Sequence, residues 1–223
     1  MVRSYEPDAY LKRKETSKWD FDYFNSKVDT HFLKAPFVNI KGDWDEGVKI
    51  IKERQHFGLK NEAVEMQTFS GKKLEDRWDG ARIDYDGLYP DLEKIVEILK
   101  IKNPRSNLHI QKPGQMHMMH IDLNNAGGTG WFKHLTEEEE KDKVVRIFVF
   151  LADWHPGQIV TIGNVDYTKW KKGDCAYFRW FDVPHGTANY GHHDRPMLFI
   201  SGETTPEFEK ILKDDNIREL ELV

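Results

Sequence analysis

The rhythm of apolar and polar residues changes along this chain, and the changes predict where its elements lie. Residues 45–54 carry Val48 and Ile51 among charges at helical spacing, with Asp43 or Asp45 as the cap. Residues 90–100 align Leu92, Ile95, Val96 and Leu99 on one stripe behind Pro90. That is an amphipathic helix suited to brace a sheet, and Asn103-Pro104 is its expected stop. From residue 108 the texture becomes short apolar or alternating runs at 108–111, 117–123, 144–152, 158–162, 175–180 and 195–203. Turn formers separate them, among them Pro113-Gly114, Asn124-Asn125-Ala126-Gly127-Gly128, His155-Pro156-Gly157, Lys172-Gly173-Asp174 and Tyr190-Gly191. Many short strands in succession predict a sandwich or barrel instead of an α/β sheet. A last helix opens at Thr204-Thr205-Pro206-Glu207 and turns Phe208, Ile211 and Leu212 to one side.

The first hundred residues are less regular. Trp19, Phe21, Tyr23 and Phe24 read as anchors for an N-terminal arm, and residues 56–88, with Asn61, Gly71, Gly80 and Gly87, as short strands and loops. Without repeat or linker, the expected organisation is one mainly β (α+β) domain over residues 1–223. Residues 1–104 form a helical and loop support, 105–204 the β core, and 205–223 the C-terminal helix.

Composition narrows the function. The 223 residues suffice for a sizeable core, and 39% apolar with 32% charged residues is the balance of a globular protein. A net charge of −5 argues against nucleic acid as a partner, which needs a positive field. One cysteine, Cys175, rules out an internal disulfide and fits a buried small hydrophobe in a reducing compartment. No apolar run approaches the roughly 20 residues of a membrane span, and the first residues lack a signal-peptide core. The expectation is a cytoplasmic protein with no membrane partner. No feature of the sequence signals an oligomeric state.

Candidate chemistry centres on His120-Ile121-Asp122 within an apolar strand, where alternation sends His120 and Asp122 to one face. A second His-x-Asp, His192-His193-Asp194, follows Gly191 in a turn where alternation is not assured. His185 follows Asp122 by 63 positions, and Arg195 follows His185 by ten and begins a strand. Two His and one carboxylate on one side of a metal leave three coordination positions open, which suits Fe(II) that must take a bidentate co-substrate and O₂. A dicarboxylate chelating such a metal at one end needs a fixed cation at the other, and arginine supplies a bidentate clamp.

These four residues resemble the signature of the Fe(II)/2-oxoglutarate-dependent oxygenases. Leu108-His109-Ile110-Gln111-Lys112-Pro113-Gly114, Arg146, Trp170-Lys171-Lys172-Gly173-Asp174 and His185-Gly186-Thr187-Ala188-Asn189-Tyr190-Gly191 resemble the aspartyl/asparaginyl β-hydroxylase-like branch. The resemblance covers about residues 105 to 204. It departs from the branch in carrying Phe148 where a His often follows the arginine by two. It also carries a long insertion between Asp122 and Arg146, either a lid or an ordinary surface loop.

The resemblance implies a double-stranded β-helix of jelly-roll, cupin-like form. It implies Fe(II) held by His120, Asp122 and His185, with Arg195 on the distal carboxylate of 2-oxoglutarate. O₂ is then the oxidant, and a C–H bond of a small molecule, amino acid or peptide is hydroxylated with succinate and CO₂ as co-products. Strand parity from Arg195 adds Ser201 to the carboxylate site; parity from His120 turns Met118 inward and His117 outward. Arg146 is expected inward on an anion, either a substrate carboxylate or an internal Asp or Glu. Trp154, Asn189, Trp180 and Tyr177 are pocket or core residues. Two other readings compete: a cupin-type metal enzyme without 2-oxoglutarate, and a non-catalytic β-sandwich binding module.

Overall fold

The protein is described by a computed structural model over residues 36–53, 66–67, 73–74, 79–83, 90–120, 132, 134–136, 139, 142–163, 165–180, 183–214 and 217–222. Its strands are β1 (Val38–Lys41), β2 (Met66–Gln67), β3 (Lys73–Leu74), β4 (Asp79–Ile83), β5 (Lys102–Gln111), β6 (Met116–His120) and β7 (Val144–Phe150). They continue with β8 (Gln158–Ile162), β9 (Val165–Tyr167), β10 (Asp174–Arg179), β11 (His185–Asn189), β12 (Arg195–Glu203) and β13 (Glu219–Glu221). The helices among the described residues are α1 (Trp44–Glu53), α2 (Pro90–Leu99) and α3 (Pro206–Lys213).

A seven-stranded sheet runs β13-β1-β10-β7-β12-β5-β4, and a four-stranded sheet runs β6-β11-β8-β9. Between β5 and β12 the chain passes repeatedly from one sheet to the other, as the jelly-roll expectation requires. β2 and β3 form a small separate ladder.

Strand sequence explains the layering. In β7, Val145, Ile147 and Val149 join a cluster with Ile95, Leu99, Leu198, Ile200 and Phe208, which places helices α2 and α3 on the outer face of the large sheet. The alternate residues Phe148 and Phe150 join Met197, Phe199, Ala176, Phe178, Val160 and Ile162 between the two sheets. A strand covered on both sides reads as a continuous apolar run, which is how 144–152 reads. Helix α3 is stopped at its start by Thr205, whose hydroxyl accepts from Phe208 N at 3.1 Å, with Pro206 following.

Several boundaries differ from the sequence pattern. Helix α2 ends at Leu99, where Lys100 takes a left-handed φ of 56°, and Asn103-Pro104 lies inside β5. Pro104 is tolerated there because β5 begins beyond the main ladder and its register with β12 is irregular near Glu203. The expected boundary at residue 104 therefore cuts a strand. β1 and β4 extend the large sheet from the N-terminal half, and β13 adds a strand at Glu219–Glu221, where the pattern expected the C-terminal helix to continue. β11 is a strand that the pattern missed, since His-Gly-Thr-Ala-Asn has no apolar alternation and is buried by its neighbours. No helix among the described residues is long and apolar enough to cross a membrane. The aromatic arm at Trp19–Phe24 lies outside the described residues, as do 121–131 of the insertion; Phe132, which follows them, is buried against Trp180.

Candidate metal and anion-binding site

His185 opens β11 and is paired in register with His120, the last residue of β6. The His185 ring is buried, with Nδ1 3.1 Å from the Val183 carbonyl oxygen and its face against Phe178, centroids 4.4 Å apart. A carbonyl can only accept, so Nδ1 carries the proton and Nε2 the lone pair. A metal-binding imidazole is held in the same tautomer when its other nitrogen donates to a carbonyl. Asp122 and the His120 side chain lie outside what is described. No group of three or more His, Cys, Asp and Glu placed for a metal occurs among the described residues.

The pairing of β6 with β11 slips between His185 and Thr187: His120 faces His185, yet His117 faces Thr187. Two positions on β11 are matched by three on β6, a β-bulge. Thr187 points into the space between the sheets, where its hydroxyl meets Gln111 of β5. Residues directly opposed across a ladder share a face, so His117 faces inward too. The outward placement expected from simple alternation is corrected by this bulge. The Met118 side chain lies outside what is described.

Arg195 begins β12 directly opposite Gln111 at the end of β5. It is 2% exposed and reaches across to the small sheet, where Nη1 donates to the Ile159 carbonyl at 2.9 Å. Nε and Nη2 are buried and find no hydrogen-bond partner among the described residues. Burial pushes the guanidinium down to about 9, still charged at neutral pH. An uncompensated buried cation is costly, and its two remaining donors form the fork that accepts a carboxylate side-on. The interior therefore fits an anion at this end. Thr187, beside Gln111, lies two residues beyond His185, roughly 6.6 Å along the strand.

His109 lies one inward position from Gln111, opposite Met197, with its ring tilted against Phe199 at 4.4 Å. Burial first, then the charges of Arg146, His117 and Arg195, hold it down to about 3, so it is a neutral imidazole. Its environment is one of cations, which again favours an anionic guest.

The remaining predicted residues separate. Ser201 is six residues along β12 from Arg195, roughly 20 Å at strand rise, and the structure does not bring the two together. Its hydroxyl instead accepts from Arg146 Nε at 3.1 Å, in register with it. Arg146 does face inward, with its guanidinium carbon 4.0 Å from the Trp180 ring centroid and 5.8 Å from that of Phe199. Trp154 donates from its indole to Gln158 O at 2.8 Å. Asn189 donates to Gln111 O at 2.9 Å and His193 O at 2.8 Å and accepts from Gly191 N. Its amide holds the strand end and the following turn. Gly157, with φ 93°, packs so close to Gly191 that a side chain would collide with its backbone, which joins the two loops at the Arg195 end. The decoy His193 stacks on His155, centroids 3.9 Å apart, in these loops.

Gln111, Thr187, His109 and His117 were not singled out as site residues. The alternation Leu108-His109-Ile110-Gln111 already places His109 and Gln111 opposite two apolar residues, and parity from His185 points to Thr187. No sequence signal announces the bulge that turns His117.

The strand order and the interior between the sheets define a double-stranded β-helix of jelly-roll form. No known family profile and no curated protein matches the sequence. Among solved structures, a prolyl-4-hydroxylase of Pseudomonas putida is 16% identical over 77% of this chain and 91% of its own, with a TM-score of 0.46. The Cnp3 cupin domain of Schizosaccharomyces pombe is 9% identical over 64% of this chain and 77% of its own, TM-score 0.36. A predicted oxalate decarboxylase of Thermotoga maritima is 14% identical over 57% and 81%, TM-score 0.35. At these scores the class rests on the strand order of this chain itself.

Proposed function

We propose that this protein is an Fe(II)- and 2-oxoglutarate-dependent dioxygenase that hydroxylates a C–H bond of a small molecule or of an amino-acid or peptide side chain. In the balanced reaction, 2-oxoglutarate, O₂ and R–H give succinate, CO₂ and R–OH. The observation that carries this reading is Arg195: a fully buried guanidinium with two donors that have no partner among the described residues. The buried fork favours a carboxylate-bearing co-substrate over a cupin-type metal enzyme without one.

His120, Asp122 and His185 would hold the iron, which when bound supplies the oxidising chemistry. Arg195 binds and orients the distal carboxylate. Val183 O fixes the His185 tautomer, and the wall of Met197, Phe199, Phe148 and Phe150 excludes water. Arg146, stacked on Trp180, is the residue proposed to meet the substrate.

The test is optical. Fe(II) and 2-oxoglutarate added without oxygen should produce a weak visible charge-transfer band. It should disappear in Asp122→Ala and Arg195→Ala. Absence of the band in the unaltered protein, or its persistence in both variants, would refute the proposal.

A further inference from the structure

We infer that Phe132 and His134, from the insertion between Asp122 and Arg146, are positioning residues for Arg146, and that Glu203 holds them in place. The inference rests on the reading of Arg146 as the residue that meets the substrate.

Glu203 closes β12, at the opposite end of that strand from Arg195. Pairing with β7 runs unbroken from Ser201–Arg146 to Glu203–Val144, so the Glu203 position follows Ser201 on the inner face. Its Oε1 accepts from Asn103 Nδ2 and from His134 Nε2, each at 2.6 Å. Asn103 comes from the start of β5, in a left-handed backbone with φ 46° that asparagine tolerates better than most residues. One carboxylate thus clasps the ends of two strands and the segment that leads into β7.

Two residues before His134, the Phe132 ring is 1% exposed and meets the Trp180 indole edge to face, centroids 6.2 Å apart at 87°. The Phe132 carbonyl accepts from Leu135 N at 2.9 Å, which ties the ring and His134 into one turn. Trp180 donates from its backbone to Val144 O at 3.1 Å, and its ring carries the Arg146 guanidinium at 4.0 Å. On the other side Arg146 Nε donates to Ser201 at 3.1 Å. A planar guanidinium held at its face and at Nε is fixed in orientation. Glu203 secures both contacts: Ser201 through the strand they share, and Trp180 through His134 and Phe132. When the clasp opens, Phe132 can leave the indole, and the stack that aims Arg146 loosens.

The experiment follows the Nε–H resonance of Arg146 in proton–nitrogen correlation spectra of the protein without ligands, assigned as the signal lost in Arg146→Lys. His134→Ala and Glu203→Ala should each speed its exchange with water about tenfold, the weight of one hydrogen bond. Glu203→Gln keeps a carbonyl acceptor for both donors and should restore the unaltered rate. Phe132→Leu leaves the clasp intact but removes the aromatic edge, and it should speed exchange as well. It carries the test where an alanine variant fails to fold. The anaerobic band given by Fe(II) and 2-oxoglutarate should persist in all of these variants, because Arg195 lies at the other end of β12. Exchange at Arg146 that ignores His134→Ala, Glu203→Ala and Phe132→Leu overturns this inference and leaves the proposed function standing. Absence of the band in the unaltered protein overturns the proposed function, and with it the role given to Arg146.

Discussion

His117 lies opposite Thr187 across the β6–β11 ladder, although the neighbouring register pairs His120 with His185. One extra residue on β6 thus sets His117 opposite Thr187 and on the same interior face. His117 there adds to the charges acting on His109. His117→Lys would bring a permanent cation into a space that already holds Arg146 and Arg195. Urea unfolding should show a loss of about 1–3 kcal/mol. An outward-facing residue would change stability by no more than about 0.5 kcal/mol.

Arg195 sets function against stability. Arg195→Met keeps the length of the side chain and removes an uncompensated buried charge, so the protein without ligand should become about 1–3 kcal/mol more stable. The same variant should lose the upward shift in melting temperature that 2-oxoglutarate produces in the unaltered protein. Thermal melts with and without the diacid check both halves.

His109 makes folding sensitive to acid. Its pKa falls from 6.5 in the unfolded chain to about 3 in the folded one, chiefly through burial. The unfolded state therefore binds an extra proton between those values, and stability falls as pH drops from about 6.5 toward 3. Above 6.5 the residue contributes no slope. His109→Gln should flatten the stability–pH curve in that window, removing a few kcal/mol, at the order of one per pH unit, of acid loss. Chemical denaturation at pH 7, 6, 5 and 4 measures the slope.

With His120 and His185 as the proposed ligands, metal affinity should fall in acid, because an imidazole ligates only when unprotonated. His185→Ala should remove the iron recovered after anaerobic loading and desalting. His193→Ala, in the loop that carries the second His-x-Asp, should leave it unchanged. Metal analysis of the three proteins decides the assignment.

Much of the architecture was legible in the local pattern. The amphipathic stripe at Leu92–Leu99, the cap at Thr205 and the doubly apolar strand at Val144–Phe150 depend on neighbours within a few residues, and each became the expected element. The seven- and four-stranded sheets that enclose the site follow the short-strand, turn-rich texture beyond residue 108.

What the sequence determined alone were residue types with metal- and anion-binding chemistry at His120, Asp122, His185 and Arg195, and the strands that hold His120 and Arg195. Tertiary structure decided which of their neighbours share the interior. Parity along one strand placed Ser201 with Arg195, but parity fixes only the face and not the distance, and six residues of strand separate them. Parity also sent His117 outward, and a bulge set by pairing with β11 reversed it. Gln111 stands opposite Arg195 through strand pairing as well. Register between strands 84 residues apart in the chain is a property of the folded sheet, and no local rule contains it.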